Sequence, residues 1–146
     1  MVSVNQILDL VLHAGRIMLQ SGAETYRVED TIEKLGYACG ATKVDAFATP
    51  TGVFVTVVDA EGNTATRIVR IRKTESNLNK VAEVNQISRD VCEGISTCQE
   101  ACARLHSIDS QGRYAFAVRE FSAGLVCLGF AYIFGGHLKE MILSFF

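Results

Sequence analysis

Cys98, Cys102 and His106 stand at i, i+4 and i+8, so any helix that carries them places all three on one face. Cysteine and histidine are the side chains that hold zinc, and two of them one turn apart can share an ion. The third would sit roughly 12 Å along the axis from the first, at ~1.5 Å rise per residue. Zinc needs every ligand within about 2.3 Å, so one helix cannot supply all three. Cysteine is also a small, commonly buried residue, and packing is the better reading of this face. Cys102 and His106 are also the only local pairing of a nucleophile with a base. With Ser21 and Glu24 they would serve a small α+β hydrolase-like enzyme, which is the alternative reading of the chain. No nucleophile elbow, P-loop or HExxH pattern accompanies them. Nothing here asks for a metal, a nucleotide or another cofactor.

A second set of chemistry-bearing residues is polar rather than nucleophilic. Ser21 and Glu24 have the spacing of a capping box, in which the hydroxyl accepts the backbone N–H of Glu24 and the carboxylate returns to the serine N–H. Glu24 would also complement the dipole at that helix end. Capping leaves Arg27 and Glu29 unexplained, and a charged face against another element or a ligand-binding or gating role remains open for them. Asn85, Ser88 and Arg89 form a similar strip further on, with Asn77 two turns back. A buried amide left unpaired costs about 1–3 kcal/mol, so Asn85 must find partners. Packing specificity and a substrate-facing strip both fit. Pro50, Thr51 and Gly52 read as a turn, proline fixing φ and glycine permitting positive φ, or as backbone N–H groups aimed at an anion. Arg67, Arg70, Arg72 and Lys73 make a basic patch suited to solvent, to membrane phosphate or to an acidic partner.

The elements that must position these residues follow from periodicity. Val4, Ile7, Leu8, Val11, Leu12, Gly15, Met18 and Leu19 keep the spacing of an amphipathic helix. A second helix buries Val28, Ile32, Leu35 and Cys39 and stops near Gly40. Val44 to Thr49, Val53 to Val58 and Thr64 to Arg72 are rich in β-branched residues, and Asp59 to Asn63 has turn chemistry, so three antiparallel strands are expected. Helices resume from about Ser76 to Gly94, with Leu78, Val81, Val84, Val91, Cys92 and Ile95 on one face. Another runs from about Thr97 to Ile108, opened by Ser96 or Thr97 with Gln99 or Glu100. The order ααβββαα implies a two-layer α+β domain over residues 1–112, with helices covering one face of a small antiparallel sheet.

A length of 146 residues, 49% hydrophobic content, 21% charged residues and one proline exclude a disordered chain. A formal charge of −2 gives no reason to expect nucleic acid. No cleavable signal is legible at the N-terminus. Five cysteines without a scaffold pattern point to a reducing compartment. Residues 113–146 differ in character: Phe121 to Gly136 carries no charge. Alone, so short a run fits a buried core helix, since a span needs about 17–25 apolar residues. Small residues at Ala123, Gly124, Gly129 and Ala131, as at helix contacts in membranes, favour a membrane segment instead. So do the polar break at His137 to Glu140 and the new apolar run from Met141 to Phe146. Arg104, Arg113 and Arg119 precede the run and only Lys139 follows it, which puts the N-terminal domain in the cytoplasm by the positive-inside rule.

The blocks Ser21 to Glu29, Pro50 to Gly52, Asn77 with Leu78, and Val84 to Arg89, in this order and spacing, resemble the N-terminal region of the bacterial threonine/serine exporter family. That family includes a split-type exporter implicated in succinate efflux. The resemblance runs from about Ile7 to the C-terminus. It implies a component of an inner-membrane exporter of small amino acids or dicarboxylates, with no catalysis of its own. It also implies a first membrane helix, the stub of a second, and a partner: a second membrane subunit or a missing C-terminal membrane half. The bilayer and a homo-oligomer complete the expected partners.

Overall fold

The computed structural model describes residues 2–110 and 116–135. The expectations placed on Arg113 and on residues 136 to 146 lie outside these. The chain divides after Ser110 into two units.

The first unit runs α1 (Val4–Gln20), α2 (Thr25–Ala38), β1 (Lys43–Thr49), β2 (Gly52–Val58), β3 (Thr64–Arg70), α3 (Leu78–Cys92) and α4 (Cys98–Ser110). The expected ααβββαα order and α+β class hold. Helix α1 starts at a capping box between Ser3 and Gln6. It buries residues around most of its circumference, from Val4 to Leu19, which makes it the central helix of the domain rather than a surface one. It touches α2, α3, α4, β2 and β3. Helix α4 opens on the expected second box: Glu100 N–H donates to Thr97 Oγ1 (3.2 Å) and Thr97 N–H to Glu100 Oε2 (2.8 Å).

The sheet has order β1-β2-β3, antiparallel throughout. Val44, Ala48, Val53, Val55 and Val57 turn one face to the core, and α1 and α2 cover it. Helix α3 packs on α1 and α2, and α4 on α1 and α3, rather than on the strands.

The apolar face of α3 is rotated from its expected position. Val81, Val84, Ile87, Ser88 and Val91 are buried, whereas Leu78, Cys92 and Ile95 are exposed. At 100° per residue, Leu78 and Cys92 fall well to one side of that stripe. Ile95 follows the helix end, past Gly94 at φ +73°.

The second unit contains α5 (Phe116–Ile133). Phe121, Leu125, Val126, Phe130, Tyr132 and Ile133 are exposed, and Ser122 returns its hydroxyl to the Val118 carbonyl (2.8 Å). Among the described residues, no helix is long and apolar enough to cross a membrane.

Candidate functional site

Ser21 and Asn77 meet at one end of the first unit, where α1 turns into α2 and the chain leaves β3 for α3, and the β1–β2 tip lies on the same linker. Ser21 ends α1 as its C-cap. Gly22, at φ +85°, donates to Leu19 O (3.2 Å) and Ala23 N–H to Met18 O (3.0 Å). That is the paired 5→2 and 6→1 closure of a helix stop, which needs a residue tolerant of positive φ. The expected capping box at Ser21 and Glu24 is therefore corrected. Glu24 is the N-cap of α2 and makes no side-chain cap bond. Ser21 is 2% exposed and serves the turn before it. Ser21, which fits a helix start by spacing, belongs to the stop of the preceding helix.

This turn is stitched to the β3–α3 linker. Glu75 N–H donates to Gln20 O (2.7 Å) and Asn77 N–H to Ser21 O (3.0 Å). Asn77 then caps α3, its Oδ1 accepting from Lys80 N–H (3.2 Å). The hairpin tip lies on the same linker, since Ile71 N–H donates to Thr51 O (2.8 Å). The positive φ expected at Gly52 is absent, and this glycine sits in extended strand backbone. Its requirement is space, because a Cβ there would stand 3.0 Å from the Val69 carbonyl oxygen.

Glu29 is half-buried, and its Oε1 accepts the backbone N–H of Ala48 (2.7 Å). Val44 N–H reaches Tyr37 Oη (3.4 Å) in the same way. Helix α2 thus occupies the outer edge of β1. Arg27, one helical turn below Thr31, is exposed and forms no ion pair among the described residues. Beside it, the Glu24 carboxylate, by hydrogen bond and then by charge, holds the Tyr26 phenol above its usual range.

Thr31 Oγ1 donates to the Arg27 carbonyl (2.9 Å) and lies 3.2 Å from Asn85 Oδ1. A hydroxyl has one hydrogen, so both contacts are satisfied when the Asn85 amide is turned to present its NH₂. Asn85, half-buried, therefore binds the neighbouring helix α2. Arg89 goes elsewhere: its Nη2 donates to Gln86 Oε1 (2.7 Å), and Gln86 Nε2 to Asp90 Oδ1 (2.7 Å). Arg104 Nη1 closes the chain on Asp90 Oδ2 (2.5 Å). Arg104, then Gln86, hold the Asp90 carboxyl below the usual range. Ser88 is buried in the α3 stripe. Of the five residues considered for binding or gating, Arg27 alone presents an exposed head without a described partner.

Three contacts were missed. Cys98 is bonded to Cys39 across a Cα separation of 6.0 Å, which corrects the expectation of reduced thiols for these two. Cysteine connectivity is a tertiary property, and Cys39 ending α2 with Cys98 opening α4 is the one signal the chain offers. Among the described residues no cluster suited to a metal is present. His106 stacks edge-on against His13, ring centroids 4.6 Å apart, while His13 and Arg16 both reach Asp109 (3.3 and 2.5 Å). Desolvation, opposed by the Asp109 hydrogen bond, lowers the His13 pKa. Arg67 turns to the helix side of the sheet and pairs with Asp9, leaving the basic patch to Arg70, Arg72 and Lys73.

No curated protein and no solved structure matches the chain. The family model for threonine/serine exporters, ThrE, matches residues 9–146, which takes in every residue described above except the start of α1. The chain belongs to the threonine/serine exporter family.

Proposed function

We propose that this chain supplies the cytoplasmic α+β domain of an inner-membrane exporter of threonine and serine. Dicarboxylates such as succinate are the second cargo class. The match of residues 9–146 to the exporter family carries this reading. The exposed apolar surface of α5 supports a place at the bilayer. The crossing path is assigned mostly to a second membrane subunit or to a C-terminal membrane half, as the Phe121 to Gly136 run carries no acidic residue for proton coupling.

Arg27 is the residue that recognises cargo or latches the domain to the transport helices. Amino acids and dicarboxylates share a carboxylate, and the planar guanidinium grips one at two points. A lysine keeps the charge and loses the fork. Arg27→Lys lowers export roughly tenfold, the equivalent of about 1.4 kcal/mol. Its melting temperature stays near that of the parent, because exposed substitutions cost within about 0.5 kcal/mol. Export is measured in cells and melting on the purified variant. Full export in Arg27→Lys removes the residue from the mechanism, and lost export with a large fall in melting temperature returns it to a structural role.

A further inference from the structure

The outer face of the sheet carries a row that the exporter reading does not use. Register places Phe47 opposite Phe54 and Phe54 opposite Ile68. All three point away from α1 and α2, at 61%, 41% and 60% exposure, with the two rings 6.1 Å apart. On one side of this row Asp45 is neutralised by Lys43 (2.8 Å), and Thr56 bonds Thr66 (2.8 Å). On the other side stands Arg70. Past the strand end, the buried Ile71 is followed by Arg72, which is exposed. Lys73 follows, exposed. None of these three cations has an ion pair among the described residues. The chain as a whole is at −2, so this is a positive patch on a negative molecule.

An aromatic and aliphatic row flanked on one side by unpaired cations matches the boundary of an anionic bilayer, with rings at the acyl edge and cations at the phosphates. A second copy fits less well. Three strands of seven residues span about 14 by 23 Å, on the order of 330 Å². A stable dimer needs about 800 Å² per partner, and stacking two such faces would also confront two sets of cations. We propose that the outer sheet face, through Phe47, Phe54 and Ile68 with Arg70, Arg72 and Lys73, docks on an anionic lipid surface. The docking rests on the membrane reading given above and adds a second, lipid-reading contact to it.

The chain contains no tryptophan, so Phe54→Trp and Ile68→Trp each install a unique indole probe, with Ile95→Trp as an exposed control off the sheet. The purified full chain of each variant is mixed with vesicles of phosphatidylcholine alone or with added phosphatidylglycerol. Flotation and quenching by brominated lipid and by aqueous iodide are then read. The expected result is lipid quenching of the two sheet probes about twofold stronger on anionic vesicles. Arg70→Glu with Arg72→Glu abolishes that difference, and the control probe stays open to iodide throughout. Chain that floats with the vesicles while both sheet probes stay fully open to iodide overturns the docking and leaves the membrane reading standing. Chain that fails to float on either vesicle overturns both. Shielding that follows protein concentration in place of lipid assigns the face to a second copy and also overturns the docking.

Discussion

Glu29 shows how one side chain does the work of a strand. The outer edge of β1 exposes backbone donors, and a free edge invites unwanted pairing. The Glu29 carboxylate takes the Ala48 N–H at 2.7 Å, a charge-assisted bond in a half-buried setting. Glu29→Ala leaves that donor unpaired and lowers stability by about 1.5–3 kcal/mol. Glu29→Gln keeps a carbonyl acceptor and loses less. Urea unfolding of both variants checks the order, and equal losses would show that the bond contributes nothing. His13 makes the second residue-scale prediction. It sits against Arg16, His106 and Asp109, and its pKa lies below 6.5, chiefly through desolvation. Below that value the unfolded chain binds the proton more readily than the native state. The contribution of His13 is therefore complete above about pH 6.5 and is lost as pH falls through that value toward the lowered one. The urea midpoint should fall between pH 7.5 and 5.5, and His13→Gln should flatten that part of the fall. An unchanged slope in the variant would place the proton uptake elsewhere.

At the scale of elements, the turn between α1 and α2 is where the domain is most tightly specified. Gly22 closes α1 with positive φ, and a Cβ there would stand 3.4 Å from the Glu75 carbonyl oxygen. Gly22→Ala adds left-handed strain of about 1–2 kcal/mol, while its Cβ meets the linker only at ordinary contact distance. The loss should appear in thermal melting and match that of Gly62→Ala, which has positive φ and open space around it. A clearly larger loss at Gly22 would show that the linker contact, and not backbone strain alone, sets the requirement. The helices themselves were legible, because their apolar spacing is local and survives packing. The displaced stripe of α3 was not, because α1 and α2 choose which of two adjacent faces is buried. The sheet was legible down to its hairpins, since Pro50 and Thr51 and the Asp59 to Asn63 segment carry turn chemistry. Asp59 accepts from Glu61 N–H and Asn63 N–H (both 2.9 Å), with its carboxyl held low mainly by Asn63.

For the whole molecule, the Cys39–Cys98 bridge ties α2 to α4 across 59 residues. A loop of that length corresponds to about 4 kcal/mol of unfolded-chain entropy. Cys39→Ser should therefore cost about 2–4 kcal/mol in oxidised protein and almost nothing in reductant. The bridge also reports sidedness. A cytoplasmic domain meets a reducing pool that opens such bonds, so both thiols should take maleimide in intact, rapidly quenched cells. Protection of Cys39 and Cys98 until reductant is added would place the domain on an oxidising face and overturn its cytoplasmic assignment.

Residue order alone determined the kinds of element, their succession and the family to which the motifs belong, because periodicity, turn chemistry and motif spacing are properties of neighbouring residues. Tertiary structure decided which polar groups are spent and which are free. Ser21 went to the end of α1, Glu29 to Ala48 across 19 positions, Arg67 to Asp9 across 58, and His13 to Asp109 across 96. Each choice depends on which chain segments the shared core brings within about 3 Å, a distance that no local pattern encodes.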